Sequence, residues 1–237
     1  SYCVWARRLS DGRKVQKFYD TIDAALHAAQ SLDEDGYDAY FALGTFERAG
    51  SRKGENVQQL RSFFLDLDCG QDKFDKGEGY LTQTDALTAL REFCKRLKLP
   101  RPTLVNSGRG VHVYWPLTEP VSRETWVPVA GRFKALCQRE RLVIDPAVPA
   151  DAARILRMPG THNYKDAPPK AVSVVGVAAH PVTFESFKEL LDGSDPQEAY
   201  VPPKRPVVRD QDALMQALSG SYTSRFGTIL MKTAEGK

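Results

Sequence analysis

The run SFFLDLD at residues 62–68 is the stretch that most restricts how this chain can fold: it sets Asp66 and Asp68 at alternate positions of a segment otherwise among the most apolar in the protein. In a strand, side chains at i and i+2 share a face, with a rise of about 3.3 Å per residue, so two such carboxylates can converge on one cation. Unpaired, on a core-facing side, they would be costly. Acid pairs of this form also occur on ordinary solvated strand faces, and this pair alone does not decide between a cation site and a plain polar face.

Around this run, periods of two and of about 3.6 alternate, the pattern of an α+β or α/β domain. Strands are predicted at 2–7, 15–19, 39–46 and 62–68. A helix at 21–32 aligns Ile22, Ala25, Leu26, Ala29 and Leu32 behind a Thr21 cap. A second, at 84–98, aligns Leu87, Leu90, Phe93, Cys94 and Leu97, with Pro100 just past its end. TLVNSGRGVHVYWPL (103–117) reads as a hairpin around a Gly-containing turn. A third helix, 122–142, carries Trp126, Ala130, Phe133, Leu136 and Cys137 after a Ser122 cap and leads into VIDPAV, 143–148. Residues 154–169 are loop-rich with a strand near each end, followed by a strand at 171–178 and a helix near 183–191. The compact domain is expected to span 1–191, a Pro-rich linker 192–210, and the start of a further helical segment 211–237.

Composition narrows the class. With 237 residues, 42% hydrophobic and 27% charged, the chain suits a soluble globular protein with one sizeable core or two small ones. No apolar run approaches the roughly 20 residues of a membrane-spanning helix, and the N-terminus has no signal-peptide core, so a cytoplasmic address without membrane contact is expected. Cys3, Cys69, Cys94 and Cys137 are scattered and read as reduced thiols. A net charge of +3 permits nucleic-acid binding through local patches without indicating it. Starting without Met and ending in TAEGK, the chain reads as part of a longer protein.

Three further segments can carry chemistry, and each also fits a plain structural role. NSGRGVHVYW (106–115) puts Ser107 and Arg109 in a Gly-rich turn and His112 on the strand after it, which makes either a phosphate cradle or an ordinary hairpin. Asp145 closes an apolar run, where it is either a third metal carboxylate or a residue preceding Pro146. RILRMPGTHNYK gathers Arg154, Arg157, His162 and Lys165 around a Pro-Gly turn, either a phosphate-binding cluster or a solvated loop. RAGSRKGENV (48–57) and the charged loop 69–80 fit template contact and plain surface equally.

Taken in order, an acid pair on a strand, a Gly turn followed by His, a later Asp and a basic turn complement one another chemically. At this point the chain resembles the archaeo-eukaryotic primase superfamily, in particular the primase-polymerase proteins of phages and plasmids. The motifs read DLD (Asp66, Asp68), SGRGVH (Ser107, His112) and ID (Asp145), and RMPGTHNYK resembles a downstream element of the same branch; the similarity covers about residues 1–191. It implies an α+β fold in which a catalytic sheet like that of the RNA-recognition motif stands beside a smaller N-terminal α/β subdomain, with flanking helices and a cleft between.

The resemblance also implies template-dependent nucleotidyl transfer on DNA, as primer synthesis or polymerisation, in mobile-element replication. Its partners would be a single-stranded template, a primer strand and dNTP or NTP, with a helicase domain in the full-length protein. Asp66, Asp68 and Asp145 would hold two Mg2+ or Mn2+ ions, about 3.5–4 Å apart in such sites. Ser107, Arg109, His112, Arg157, Asn163 and Lys165 would line the triphosphate. Several relatives of this kind carry a zinc-binding stem, but the cysteine spacing here has no match to one, so no zinc is expected. Two other classes compete: a metal-dependent nuclease, which has less need of triphosphate donors, and a non-catalytic nucleic-acid-binding module of the RNA-recognition type, which the acids on FFLDLD disfavour.

Overall fold

The computed structural model describes residues 1–192; the expected linker and C-terminal helical segment fall outside the described residues. The chain opens with β1 (Tyr2–Arg8) and β2 (Lys14–Tyr19), then α1 (Ile22–Glu34) and β3 (Tyr37–Ala42). Thr21 caps α1 by accepting from the Ala24 amide at 3.2 Å. Helix α1 lays Ala25 and Ala29 on one face of the sheet, where they bury Val4, Ala39 and Met158.

β4 (Gly44–Phe46) and a 3-10 turn (Gly54–Asn56) lead into β5 (Val57–Asp68). Then follow α2 (Gln71–Asp75), α3 (Gln83–Arg96), β6 (Thr103–Asn106), β7 (Gly110–Ser122) and α4 (Arg123–Arg139). The described part closes with β8 (Ile155–Arg157), β9 (His162–Asn163), β10 (Lys170–Ala171), β11 (Ser173–Gly176) and α5 (Phe184–Asp192). β2, β1, β3 and β8 form a four-stranded sheet in that order, and β11, β6, β7, β5 and β4 a five-stranded one.

The main core lies between the five-stranded sheet and its helices. Phe63 of β5 stacks on Phe187 of α5 with ring centroids 4.3 Å apart and on Trp126 of α4 at 5.7 Å, while Trp115 of β7 meets Phe133 of α4 edge-on at 5.3 Å. Both indoles find acceptors, Trp115 at the Pro100 carbonyl (2.8 Å) and Trp126 at the Ser62 carbonyl (3.0 Å). The capping box expected of a well-started helix is present at α3, between Thr82 and Asp85.

Several elements depart from the sequence reading. The strand expected at 39–46 is split, β3 serving the first sheet and β4 the second. Gly44 is where the chain changes sheets: a Cβ there would stand 2.8 Å from Val57 Cγ1 and 3.2 Å from two backbone carbonyls. The acidic strand is longer than its apolar run, because β5 begins at Val57. Helix α4 stops at Arg139 rather than 142, with Arg141 in the left-handed conformation (φ 57°). The segment expected to form a strand at 171–178 is shared between β10 and β11. The N-terminal sheet is completed by β8, which comes from the far end of the chain and pairs with β3, Tyr40 opposite Arg157.

Candidate active site

In the antiparallel pairing of β5 with β7, Asp66 lies opposite His112 and Asp68 opposite Gly110. Residues facing one another across a ladder project from the same side of the sheet, so both acids share a face with His112. That face turns toward the first sheet, near enough that Arg157 and Tyr40 both feel the Asp66 charge. Two glycines let the chain pack closely around the acids. A Cβ on Gly110 would fall 2.5 Å from the Leu67 carbonyl, and one on Gly108 (φ +86°) would fall 3.0 Å from Asn163 Cβ and from Lys170 Cβ.

The Gly-rich turn is fixed from three sides. The Ser107 amide donates to the Gly110 carbonyl at 3.0 Å. Gln83, at the start of α3, donates to Asn106 Oδ1 (2.8 Å) and to the Gly110 carbonyl (3.0 Å). Asn163 Nδ2 donates to the Ser107 carbonyl at 2.9 Å, and Asn163 Oδ1 accepts from the Lys165 amide at 3.1 Å. Asn163 is 1% exposed, so its part is to tie the turn to the basic segment.

Eight of the nine residues expected at a site line a single cleft of about 440 Å3: Asp66, Asp68, Ser107, Arg109, His112, Arg157, Asn163 and Lys165. The ninth, Asp145, opens instead onto an adjoining cavity that also includes Asp68. It stays next to the acid strand because its amide donates to the Asp66 carbonyl at 2.9 Å.

The electrostatics are strained at the acids. Burial, then the charges of Asp68 and Asp145, push the Asp66 carboxyl up to about 7, against the relief given by Arg154 and Arg157. The outer two acids are each held by a cation: Lys73 Nζ stands 2.9 Å from Asp68 Oδ2, and Arg154 Nη2 is 3.0 Å from Asp145 Oδ2. Among the described residues no three carboxylate, His or Cys side chains stand close enough as placed to complete a metal shell. The donor chemistry nevertheless suits a hard divalent cation, since three carboxylates act on one another and the middle one is left short of positive charge.

His112 is 2% exposed. Burial, with Arg157 and Arg154 nearby, drives its pKa down to about 3, so the imidazole is neutral. Its Nδ1 lies 3.4 Å from the Tyr114 hydroxyl, and the residue lines the cleft.

The basic segment divides. Arg157 lies in a strand, not in the solvated turn: it is 8% exposed, 3.5 Å from Asp38 through two nitrogens and 4.9 Å over the Tyr40 ring. His162 turns away from the cleft to Asp33 of α1, at 2.9 Å. Of the upstream loop, Asn56 is a buried clamp donating to the Arg48 and Ser51 carbonyls at 2.7 Å each. Sequence reasoning missed Lys73 and Lys76, which α2 and its flank bring to the cleft, and the Asp38 and Tyr40 support of Arg157. The charge and glycine content of loop 69–80 was the available signal for the first pair.

No family model matches the chain. A curated relative, a replication protein of Clostridium perfringens, is 25% identical over 181 residues; these make up 76% of this chain and 40% of the relative, so the chain spans about two-fifths of its length. Among solved structures, the primase-polymerase domain of cyanophage S-2L superposes with a TM-score of 0.57 at 16% identity, covering 81% of this chain and 89% of that one. The catalytic domain of the primase RepB′, solved with initiator DNA, gives 0.53 at 15% identity, with 81% and 83% covered. The two-sheet architecture is thus the fold that these primase and primase-polymerase domains share.

Proposed function

We propose that this protein is a nucleotidyltransferase of DNA replication that extends or starts a strand on a single-stranded DNA template, acting in the cytoplasm on behalf of a mobile element. The observation that carries the reading is the cleft itself: Asp66 and Asp68 share one wall with His112, while Arg109, Arg157, Lys165 and Ser107 supply further donors around them. A purely binding surface has no use for acids facing a polyanion, and a nuclease has no use for so many donors beyond the scissile phosphate.

In the reaction, the 3′-oxygen of the acceptor strand forms a bond to the α-phosphorus of the incoming nucleotide. The bond from that phosphorus to its bridging oxygen breaks, pyrophosphate leaves, and the hydroxyl proton passes to solvent. Phosphoryl transfer of this kind is governed by positioning and charge stabilisation. Lys165 and Arg109, both exposed, meet the triphosphate from the open side of the cleft, Arg109 from beside Asp166 at 3.7 Å, while Arg157 is held by Asp38 and Tyr40. Neutral His112 adds a hydrogen bond from its ring, and Ser107 with its turn sets the floor. Asp66, Asp68 and Asp145 would hold Mg2+ or Mn2+, which when bound supplies Lewis-acid stabilisation of the phosphate charge.

The test is a pair of titrations, nucleotide with Mn2+ and labelled single-stranded DNA, on wild type and Lys165→Ala. Loss of one charge-assisted hydrogen bond, about 1.5–3 kcal/mol, lowers nucleotide affinity about ten- to a hundred-fold. Template binding should hardly change. Equal loss of both, or strand cleavage in place of nucleotide incorporation, would contradict the reading.

A further inference from the structure

Lys73 and Arg154 each pair with one of the outer acids, but they are held in different ways. Arg154 is pinned. Its amide donates to the Asp151 carbonyl at 3.1 Å, its carbonyl accepts from the Leu43 amide at 2.9 Å, and its side chain, 25% exposed, ends on Asp145. Lys73 belongs to α2, a five-residue helix with no buried residue. What fixes its loop is the neck: the Tyr80 amide donates to the Asp68 carbonyl and the Gly70 amide to the Tyr80 carbonyl, each at 2.9 Å. Gly79 completes the neck, since a Cβ there would fall 2.5 Å from the Asp68 carbonyl oxygen and 2.9 Å from Lys73 Cβ. From that root Lys73 Nζ reaches Asp68 Oδ2 at 2.9 Å and Glu78 Oε2 at 3.4 Å, with 43% of its side chain open to solvent.

Resting on the nucleotidyl-transfer reading, we infer that Lys73 is an exchangeable counter-ion: it neutralises Asp68 until that acid takes a divalent cation, then passes to the phosphates of the incoming nucleotide. An ammonium and a dication on one carboxylate repel each other, so the Lys73 pair and cation binding at Asp68 compete. Lys73 lines the same cleft as Arg109 and Lys165, so a triphosphate bound there lies beside its long, flexible stem. Because α2 buries nothing, the exchange disturbs no core packing. Arg154, pinned and outside the lining of that cleft, stays on Asp145. The consequence is coupling. Nucleotide draws off the charge that competes for Asp68, so nucleotide and divalent cation each raise the affinity for the other by the same factor.

The test titrates Mn2+ into wild type, Lys73→Gln and Lys76→Gln without nucleotide, read by the paramagnetic resonance of free Mn2+, and then dATP and ATP at saturating Mn2+. Lys76 lines the same cleft but makes no ion pair among the described residues, so its variant reports the loss of a charge alone. Lys73→Gln should melt with wild type. It should bind Mn2+ about fivefold more tightly, the size of one partly exposed ion pair. It should bind nucleotide about tenfold more weakly, the size of one charge-assisted hydrogen bond. Lys76→Gln should change Mn2+ affinity by less than about twofold, as a screened charge does. Mn2+ affinity that is unchanged in Lys73→Gln, or raised equally in both variants, overturns the exchange, and so does unchanged nucleotide affinity. Those outcomes leave the nucleotidyl-transfer reading standing as long as wild type binds nucleotide. A wild type that binds Mn2+ yet neither dATP nor ATP overturns that reading and the exchange together.

Discussion

Asp66 and His112 face one another across β5 and β7, and the same burial moves them in opposite directions, the carboxyl up to about 7 and the imidazole down to about 3. Each is thereby neutral where it would ordinarily be charged. For His112 the folded value lies below the ordinary 6.5, so the fold loses stability as pH falls from about 6.5 toward 3. For Asp66 it lies above the ordinary 3.8, so the metal-free fold loses stability as pH rises from about 4 through 7.

Between about pH 4 and 6.5 these slopes oppose each other, and single substitutions should expose them. Asp66→Asn should leave a stability that climbs with pH over that window. His112→Gln should leave one that declines. Denaturant melts at pH 4.5, 5.5 and 6.5 in the absence of divalent cations measure both; slopes of the same sign in the two variants would contradict the assignment.

Arg157 is as much a structural residue as a phosphate donor, because Asp38 beneath it is 1% exposed. Arg157→Ala leaves that carboxylate buried without its cation, with the Tyr164 amide at 2.9 Å as its remaining partner among the described residues, at a cost toward the lower end of about 3–5 kcal/mol. The double variant Arg157→Met, Asp38→Asn removes both charges and should recover most of the loss. Equilibrium unfolding of the three proteins decides it: an Arg157→Ala variant as stable as wild type would show that the pair contributes nothing.

The Gly108 position has no room for a side chain. With φ at +86° and two neighbours at 3.0 Å from a built Cβ, Gly108→Ala must displace Asn163 or Lys170. The expected destabilisation exceeds about 1 kcal/mol. Nucleotide affinity should fall with it, since the turn carries Ser107 and Arg109. Unchanged melting together with unchanged nucleotide binding would mean that the turn is slack.

Much of this arrangement was legible in the chain. The period-two run with acids at 66 and 68 marked β5, and the N-S-G-R-G turn followed by His marked the partner strand whose register brings His112 to Asp66. What periodicity does not encode is long-range pairing. A strand near the start of 154–169 is expected, but nothing local in Ile155–Arg157 says that it crosses to the N-terminal sheet, pairs with β3 and buries Arg157. Short helices are equally silent: α2 is five residues long, below the length at which a 3.6 period can register, yet it delivers Lys73 to Asp68. The split of strand 39–46 rests on the contacts of a single glycine with Val57 and Ala152, visible only once the two sheets are assembled.

Primer extension with Mn2+ on a primed single-stranded template, comparing wild type with Asp66→Asn, Asp68→Asn, tests the central proposal most directly. Both proteins are first checked for an intact fold, which the double variant should keep or improve upon, because it removes two of the three mutually repelling acids. Wild type should add nucleotides to the primer, and the double variant should add none. Full extension by the double variant, or cleavage of the strand by wild type in place of extension, would contradict it.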